Sequence, residues 1–195
     1  MNFLAHAYLS GEDSQVMTGN FIGDFVKGKK YETYPKLMQK GILLHRGIDE
    51  YTDGHPVVGQ SKDRLRAKYR HYSSVIVDVV YDHLLAANWH KYHDKSLGEF
   101  TQQLYFEIDS MKNELPDRFQ NIFRYMKRDN WLYQYSKIEG IEQALNGMSM
   151  RTKFDSKMDE AIHDIKANYV PFLLEFQEFM PDVIAFSKQW QEEYE

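Results

Sequence analysis

The residues best suited to chemistry sit in one stretch, Gly41 to Pro56, which reads GILLHRGIDEYTDGHP. His45 and Asp49 are four apart, and so are Asp49 and Asp53. On an α-helix that spacing puts an imidazole and two carboxylates on one face, a turn apart. Arg46 sits beside the row, where it could meet an anion. A second row of this kind lies in SSVIVDVVYDHLLAANW, where Asp78 and Asp82 are four apart and His83 is adjacent. Asp24 stands among Phe21, Ile22, Phe25 and Val26, where an unpaired carboxylate is costly. It needs a metal, an arginine or a helix N-terminus. His6, in NFLAHAYLS, would alone read as a hydrogen-bonded structural histidine; it gains weight only if other ligands converge on it. Mixed imidazole and carboxylate donors suit Mn2+ or Mg2+, with Fe2+ or Zn2+ also accommodated. Such a cation orients a phosphate, neutralises its charge and activates a water, and Arg46 would add charge at the phosphoryl oxygens. The residues alone lead to a metal-dependent phosphohydrolase. The competing reading is a non-enzymatic helical module whose His and Asp side chains make buried hydrogen bonds.

Helices must position these groups. GEDS, residues 11–14, is a turn able to cap the next helix, QVMTGNFIGDFVKGKK, in which Asn20 and Asp24 are again four apart. Gly19, Gly23 and Gly28 would let backbones or a ligand approach closely. Pro35 opens the central helix, and Asp53-Gly54-x-Pro56 ends it. Ser73 and Ser74 read as a cap. The valine run after them has strand propensity, but its apolar pattern continues to Trp89, too long for a typical strand, so it reads as helix. Further on, Pro116 starts a helix, Asn146–Gly147 reads as a helix stop, and 155–179 reads as one long helix that Pro171 could kink. A final helix is expected after Pro181. The expectation is an all-α, single-domain helical bundle over residues 1–195.

Composition narrows the function. The chain contains no Cys, so disulfides, thiol catalysis and cysteinyl metal sites are excluded. A net charge of −5 argues against a general nucleic-acid binder. No stretch approaches the roughly 18 apolar residues of a membrane span, and the N-terminus lacks the basic region of a signal peptide. A cytoplasmic protein is expected. Against the acidic background, Lys62, Arg64, Arg66, Lys68 and Arg70 form a local basic run opposed only by Asp63.

NFLAHAYLS, GNFIGDFVKG, GILLHRGIDEYTD, the DxxxDH of 78–83 and the LNGM of 145–148 together resemble the acyl carrier protein phosphodiesterase family. That family is regarded as a divergent relative of the HD-type metal phosphohydrolases, all-helical and Mn-dependent. The resemblance implies hydrolysis of the phosphodiester that joins 4′-phosphopantetheine to a serine of acyl carrier protein. Carried over by motif, Asp24, His45, Asp49 and Asp82 are the leading metal ligands. His6, Asp78 and His83 follow as ligand, supporting contact or general acid, and Arg46 would contact the phosphate. Acyl carrier proteins are small and acidic, so the basic run from Lys62 to Arg70 is a candidate docking surface, with Lys27 to Lys30 as its rival. The second functional reading is an HD-like hydrolase of a nucleotide or other small phosphoester, which would need a closed pocket rather than an open groove with a positive rim.

Overall fold

In the computed structural model, which describes residues 2–194, the chain is all helix and connecting turn; no strand occurs among the described residues. The eleven α-helices among them are α1 (Phe3–Tyr8), α2 (Ser14–Phe21), α3 (Lys36–Gly54), α4 (Pro56–Tyr69), α5 (Tyr72–Ala87), α6 (Leu97–Ser110), α7 (Asp117–Arg128), α8 (Trp131–Gln134), α9 (Ile138–Arg151), α10 (Ala161–Ala167) and α11 (Tyr169–Glu193).

The central helix, α3, buries Met38, Gly41, Ile42, His45, Ile48 and Thr52, a three-and-four spacing that keeps one stripe inward. Its closest neighbour is α2, which Asp13 caps by accepting hydrogen bonds from the amides of Gln15 and Val16. The two backbones nearly touch: a methyl group on Gly41 would lie 2.0 Å from the Val16 carbonyl oxygen. On the other side, α4, α5 and α11 close the core, with Ile76, Val79, Val80, Phe176 and Phe179 fully enclosed. The valines of α5 are helical because burial on most sides outweighs their strand preference.

Several expected boundaries move. The helix expected to carry both Asn20 and Asp24 ends at Phe21, and Asp24 sits in a tight 3₁₀ turn, Gly23–Phe25. Helix α5 begins at Tyr72, before the serines taken as its cap; Ser73 instead donates to the Arg70 carbonyl at 2.7 Å. Asn146 and Gly147 do not stop α9, which runs on to Arg151. The stretch expected as one helix over 155–179 is broken at Asn168 into α10 and α11. Pro171 falls in the first turn of α11, where its missing N–H has no intrahelical partner to lose. Pro181 lies inside α11 rather than ahead of a new helix. It and Gln177, whose carbonyl it leaves without its usual donor, are both on the solvent side.

Candidate metal centre

Two imidazoles form the floor of the site. His6 comes from α1 and His45 from α3; both are buried, and their rings stack with centroids 3.9 Å apart. One residue of α2 fixes both. The Asn20 amide nitrogen donates to the His6 carbonyl and to Ser10 Oγ, each at 2.9 Å. Its Oδ1 is therefore the atom that faces His6 Nδ1 at 2.8 Å, and it can only accept. The Asn20 backbone carbonyl, also only an acceptor, faces His45 Nδ1 at 2.8 Å. Each Nδ1 thus carries its hydrogen, and each Nε2 presents a lone pair in the neutral ring. Gly23 makes room for this arrangement, since a methyl group there would lie 2.2 Å from the His45 ring.

Both Nε2 atoms face the same carboxylate. Asp49 places Oδ1 3.1 Å from His6 Nε2 and Oδ2 3.1 Å from His45 Nε2. Asp24 reaches over from its turn, with Oδ1 3.5 Å from His45 Nε2. The donor atoms of His6, His45 and Asp49 all lie within 4.8 Å of one another. The set is graded in depth: the imidazoles are sealed, Asp49 is 40% exposed and Asp24 is 74% exposed.

A lone pair aimed at an anion needs a cation between them. A proton is one candidate. Burial and the neighbouring charge of His45 push His6 down to about 4, so His6 stays neutral. Burial also opposes a charge on His45, but the Asp24 and Asp49 carboxylates outweigh it and raise His45 to about 9. Asp49 is held far below the ordinary carboxylate range: burial pushes it upward, and the two imidazoles overcome that. Yet His45 Nε2, buried, has no aligned hydrogen bond, so the attraction there is one of charge rather than of a made bond. Imidazoles whose far nitrogen is tied to a carbonyl, with the near nitrogen pointing at carboxylate oxygens, are the usual setting of a metal-ligating histidine. The donor set, two nitrogens and carboxylate oxygens, fits a divalent first-row cation.

The remaining sequence candidates lie elsewhere. Asp82 is fully enclosed and accepts from three amides of the first helix: Asn2 and Ala5 at 3.2 Å and Leu4 at 2.8 Å. It caps α1 from a distant helix, and burial still drives its carboxyl up to about 7. His83 bonds the Tyr135 carbonyl at 2.7 Å and the Tyr169 hydroxyl at 3.1 Å. Asp78 is half-buried outside the converging set, its carboxyl raised by burial. Asp53 pairs with Lys62 at 2.7 Å. Arg46 donates to the carbonyls of Val26 and Gly28 at 2.9 and 2.7 Å and lies over the Tyr31 ring. It holds the loop that carries Lys27, Lys29 and Lys30.

The basic run on α4 is largely spent inside the molecule. Lys62 pairs with Asp53, Arg64 with Glu175, Arg66 with Asp63, and Lys68 with Glu160 and Asp164. Lys27, Lys29 and Lys30 are exposed beside Asp24 and make no ion pair among the described residues. The pivotal residue that spacing alone did not single out is Asn20. Its four-residue offset from Asp24 was visible, but its role as acceptor for both imidazoles depends on contacts between α1, α2 and α3.

Fold and site together define an all-α protein with a histidine–carboxylate cluster suited to a divalent cation. Residues 1–183 match the family model described as acyl carrier protein phosphodiesterase. Relatives bearing that name include one from Enterobacter sp. (strain 638), 30% identical over 98% of this chain and all of its own length. One from Yersinia enterocolitica is 32% identical over the same shares, and one from Escherichia coli O157:H7 is 31% identical over 95% of this chain and 96% of its own. No solved structure matches the chain. The chain belongs to the acyl carrier protein phosphodiesterase family.

Proposed function

We propose that this chain hydrolyses the phosphodiester between 4′-phosphopantetheine and the serine of holo-acyl carrier protein, giving apo-carrier protein and free 4′-phosphopantetheine. Membership of the family over nearly the whole chain supports the reaction. The observation that carries the site is the pair of Nε2 lone pairs, locked by Asn20, that converge on Asp49.

His6, His45 and Asp49 would hold a divalent cation, Mn2+ first among the choices, with Asp24 completing the set at the solvent edge. When bound, it supplies charge for the phosphoryl oxygens and lowers the pKa of a coordinated water. The protein's own part is positioning. Asn20 keeps both imidazoles in the tautomer that leaves Nε2 free. Asp49 draws the two rings to one point. Asp24, the most exposed of the set, would take the proton of the attacking water. Arg46 holds the lysine-bearing loop through two carbonyls instead of touching the phosphate.

The openness at Asp24 favours a substrate borne on a protein over a small phosphoester enclosed in a pocket. Lys27, Lys29 and Lys30 form the positive rim for an acidic carrier protein; the α4 run, neutralised by its own partners, is the weaker docking surface. Among the described residues no helix is long and apolar enough to cross a membrane, and we assign the reaction to the cytoplasm. The test is conversion of purified holo-carrier protein to the apo form, followed by mass, with and without Mn2+. Conversion that requires Mn2+ and disappears in folded Asp24→Ala and Asp49→Ala variants is expected. Conversion that persists after chelation, or in Asp49→Ala, refutes the site.

A further inference from the structure

We infer that the apolar cavity between α1 and the α7–α9 segment receives the thiol end of the pantetheine arm while the phosphodiester lies at the histidine–carboxylate cluster. This deepens the proposed reaction and rests on it. The cavity has a volume of about 360 Å3 and walls that include Phe3, Ile122, Trp131, Ala144 and Met148. That is within the range of small-molecule sites, roughly 300–1,000 Å3, apolar with a few polar groups. Gln134, Gln143 and Arg151 also line it, offering donors and acceptors to the two amides of the arm.

The cavity adjoins the cluster. Phe3, on its wall, is one turn before His6 on α1. The Phe3 ring stacks on Phe25 with centroids 6.5 Å apart, and Phe25 follows Asp24 in the chain. The helix that supplies one imidazole therefore also walls the cavity, and the turn that supplies the outer carboxylate packs against that wall residue. A diester held at the cluster has the wall of the apolar space one helical turn from His6.

Gly147 is the second observation. It lies within α9, where glycine is disfavoured, and it was expected to end the helix. No packing contact demands it: a methyl group there would meet only the Arg151 guanidinium, at 3.9 Å. Gly140, at the same wall, is different, since a methyl group there would lie 2.0 Å from the Gln134 carbonyl oxygen. Gly140, Ala144, Gly147 and Arg151 are spaced three or four apart and make one face of α9. What the bare surface at Gly147 does is leave the cavity open. The LNGM motif, 145–148, falls on this helix, which gives it a use that the metal cluster does not.

The experiment fills the cavity. Gly147→Leu and the milder Gly147→Ala are compared with wild type on two substrates with Mn2+: holo-carrier protein, and bis(p-nitrophenyl) phosphate, a diester with no arm. Free pantetheine is titrated in parallel against Trp131 fluorescence, with Trp131→Phe identifying that signal. Expected is a fall in the ratio of holo-carrier to armless turnover of at least about tenfold for Gly147→Leu, as for other pocket groups lost. A smaller fall is expected for Gly147→Ala, and loss of the pantetheine response for Gly147→Leu. An unchanged ratio, or no pantetheine response in wild type, overturns the assignment. If wild type does not cleave the carrier protein but pantetheine still perturbs Trp131 in a way that Gly147→Leu abolishes, the proposed reaction fails and the arm site stands.

Discussion

The rows on α3 and α5 are alike in sequence and opposite in what their atoms bond. Each puts carboxylate and imidazole on an apolar helix. On α3, the rear nitrogen of the His45 ring is tied to a carbonyl, and the front nitrogen points at carboxylate oxygens without an aligned bond. On α5, Asp82 spends both oxygens on the amides of α1, and His83 bonds both of its ring nitrogens to tyrosine groups. The difference teaches that a row suited to a cation is told from a structural one by the bonds its ring nitrogens make, not by spacing.

Substitutions should separate the rows cleanly. Asp49→Asn keeps the shape and removes the charge. It should cost more than about 100-fold in turnover or metal affinity, beyond the 10–100-fold that supporting contacts cost, while stability falls only by the share of the His45 charge pairing that Asp49 supplies, Asp24 supplying the rest. Equilibrium dialysis with Mn2+ and a thermal melt read both. Asp82→Ala should do the reverse. It strands enclosed amides and should cost about 3 kcal/mol, roughly 10 °C in a domain of this size, with metal stoichiometry unchanged. A loss of metal without a loss of stability would break the comparison.

The pH dependence sharpens it further. In the metal-free protein His45 titrates at about 9, above its ordinary value near 6.5. The folded form then keeps a proton that the unfolded form gives up. That stabilisation is complete below pH 6.5 and is lost as pH rises through 9, on the order of 3 kcal/mol. His6, lowered to about 4, works on the acid side: between pH 6.5 and 4 the unfolded chain takes up a proton that the folded one refuses. Denaturant midpoints measured with chelator should peak near pH 6.5, and the alkaline limb should be missing in His45→Gln. An alkaline limb of equal size in that variant would remove His45 from the account.

The smallest expected effect concerns the rim. Changing Lys27, Lys29 and Lys30 together to Glu should raise the KM for holo-carrier protein about tenfold at low ionic strength, with the difference shrinking in high salt. Arg66→Glu on α4 should change it far less. Equal effects at both places would return the docking role to α4.

How much of this was legible follows from distance along the chain. The His45–Asp49 pairing could be read because four residues make one helical turn. The all-helical fold could be read because the apolar pattern of α3, α5 and α6 persists over several turns. Asp82 and His83 could not be sorted from ligands, because what they meet, the amides of residues 2–5 and the Tyr135 carbonyl, lies far away in sequence. The α4 cations looked free for the same reason: Glu160, Asp164 and Glu175 are about a hundred residues further on. Gly147 and Pro181 misled as helix boundaries: a helix interior disfavours glycine without forbidding it, and at Pro181 the carbonyl left without a donor faces solvent.

The close approach of α2 to α3 has a consequence for reading mutational-tolerance maps. Gly19, Gly23 and Gly41 have no side chain to offer a substrate, yet a single methyl group at any of them would meet backbone or the His45 ring at about 2 Å. A saturation screen scored on growth should therefore show these three columns as dark as those of His6, His45 and Asp49. The two kinds of intolerance come apart only when soluble protein yield is scored beside activity. The glycines then fail on both counts, and Asp49 fails on one.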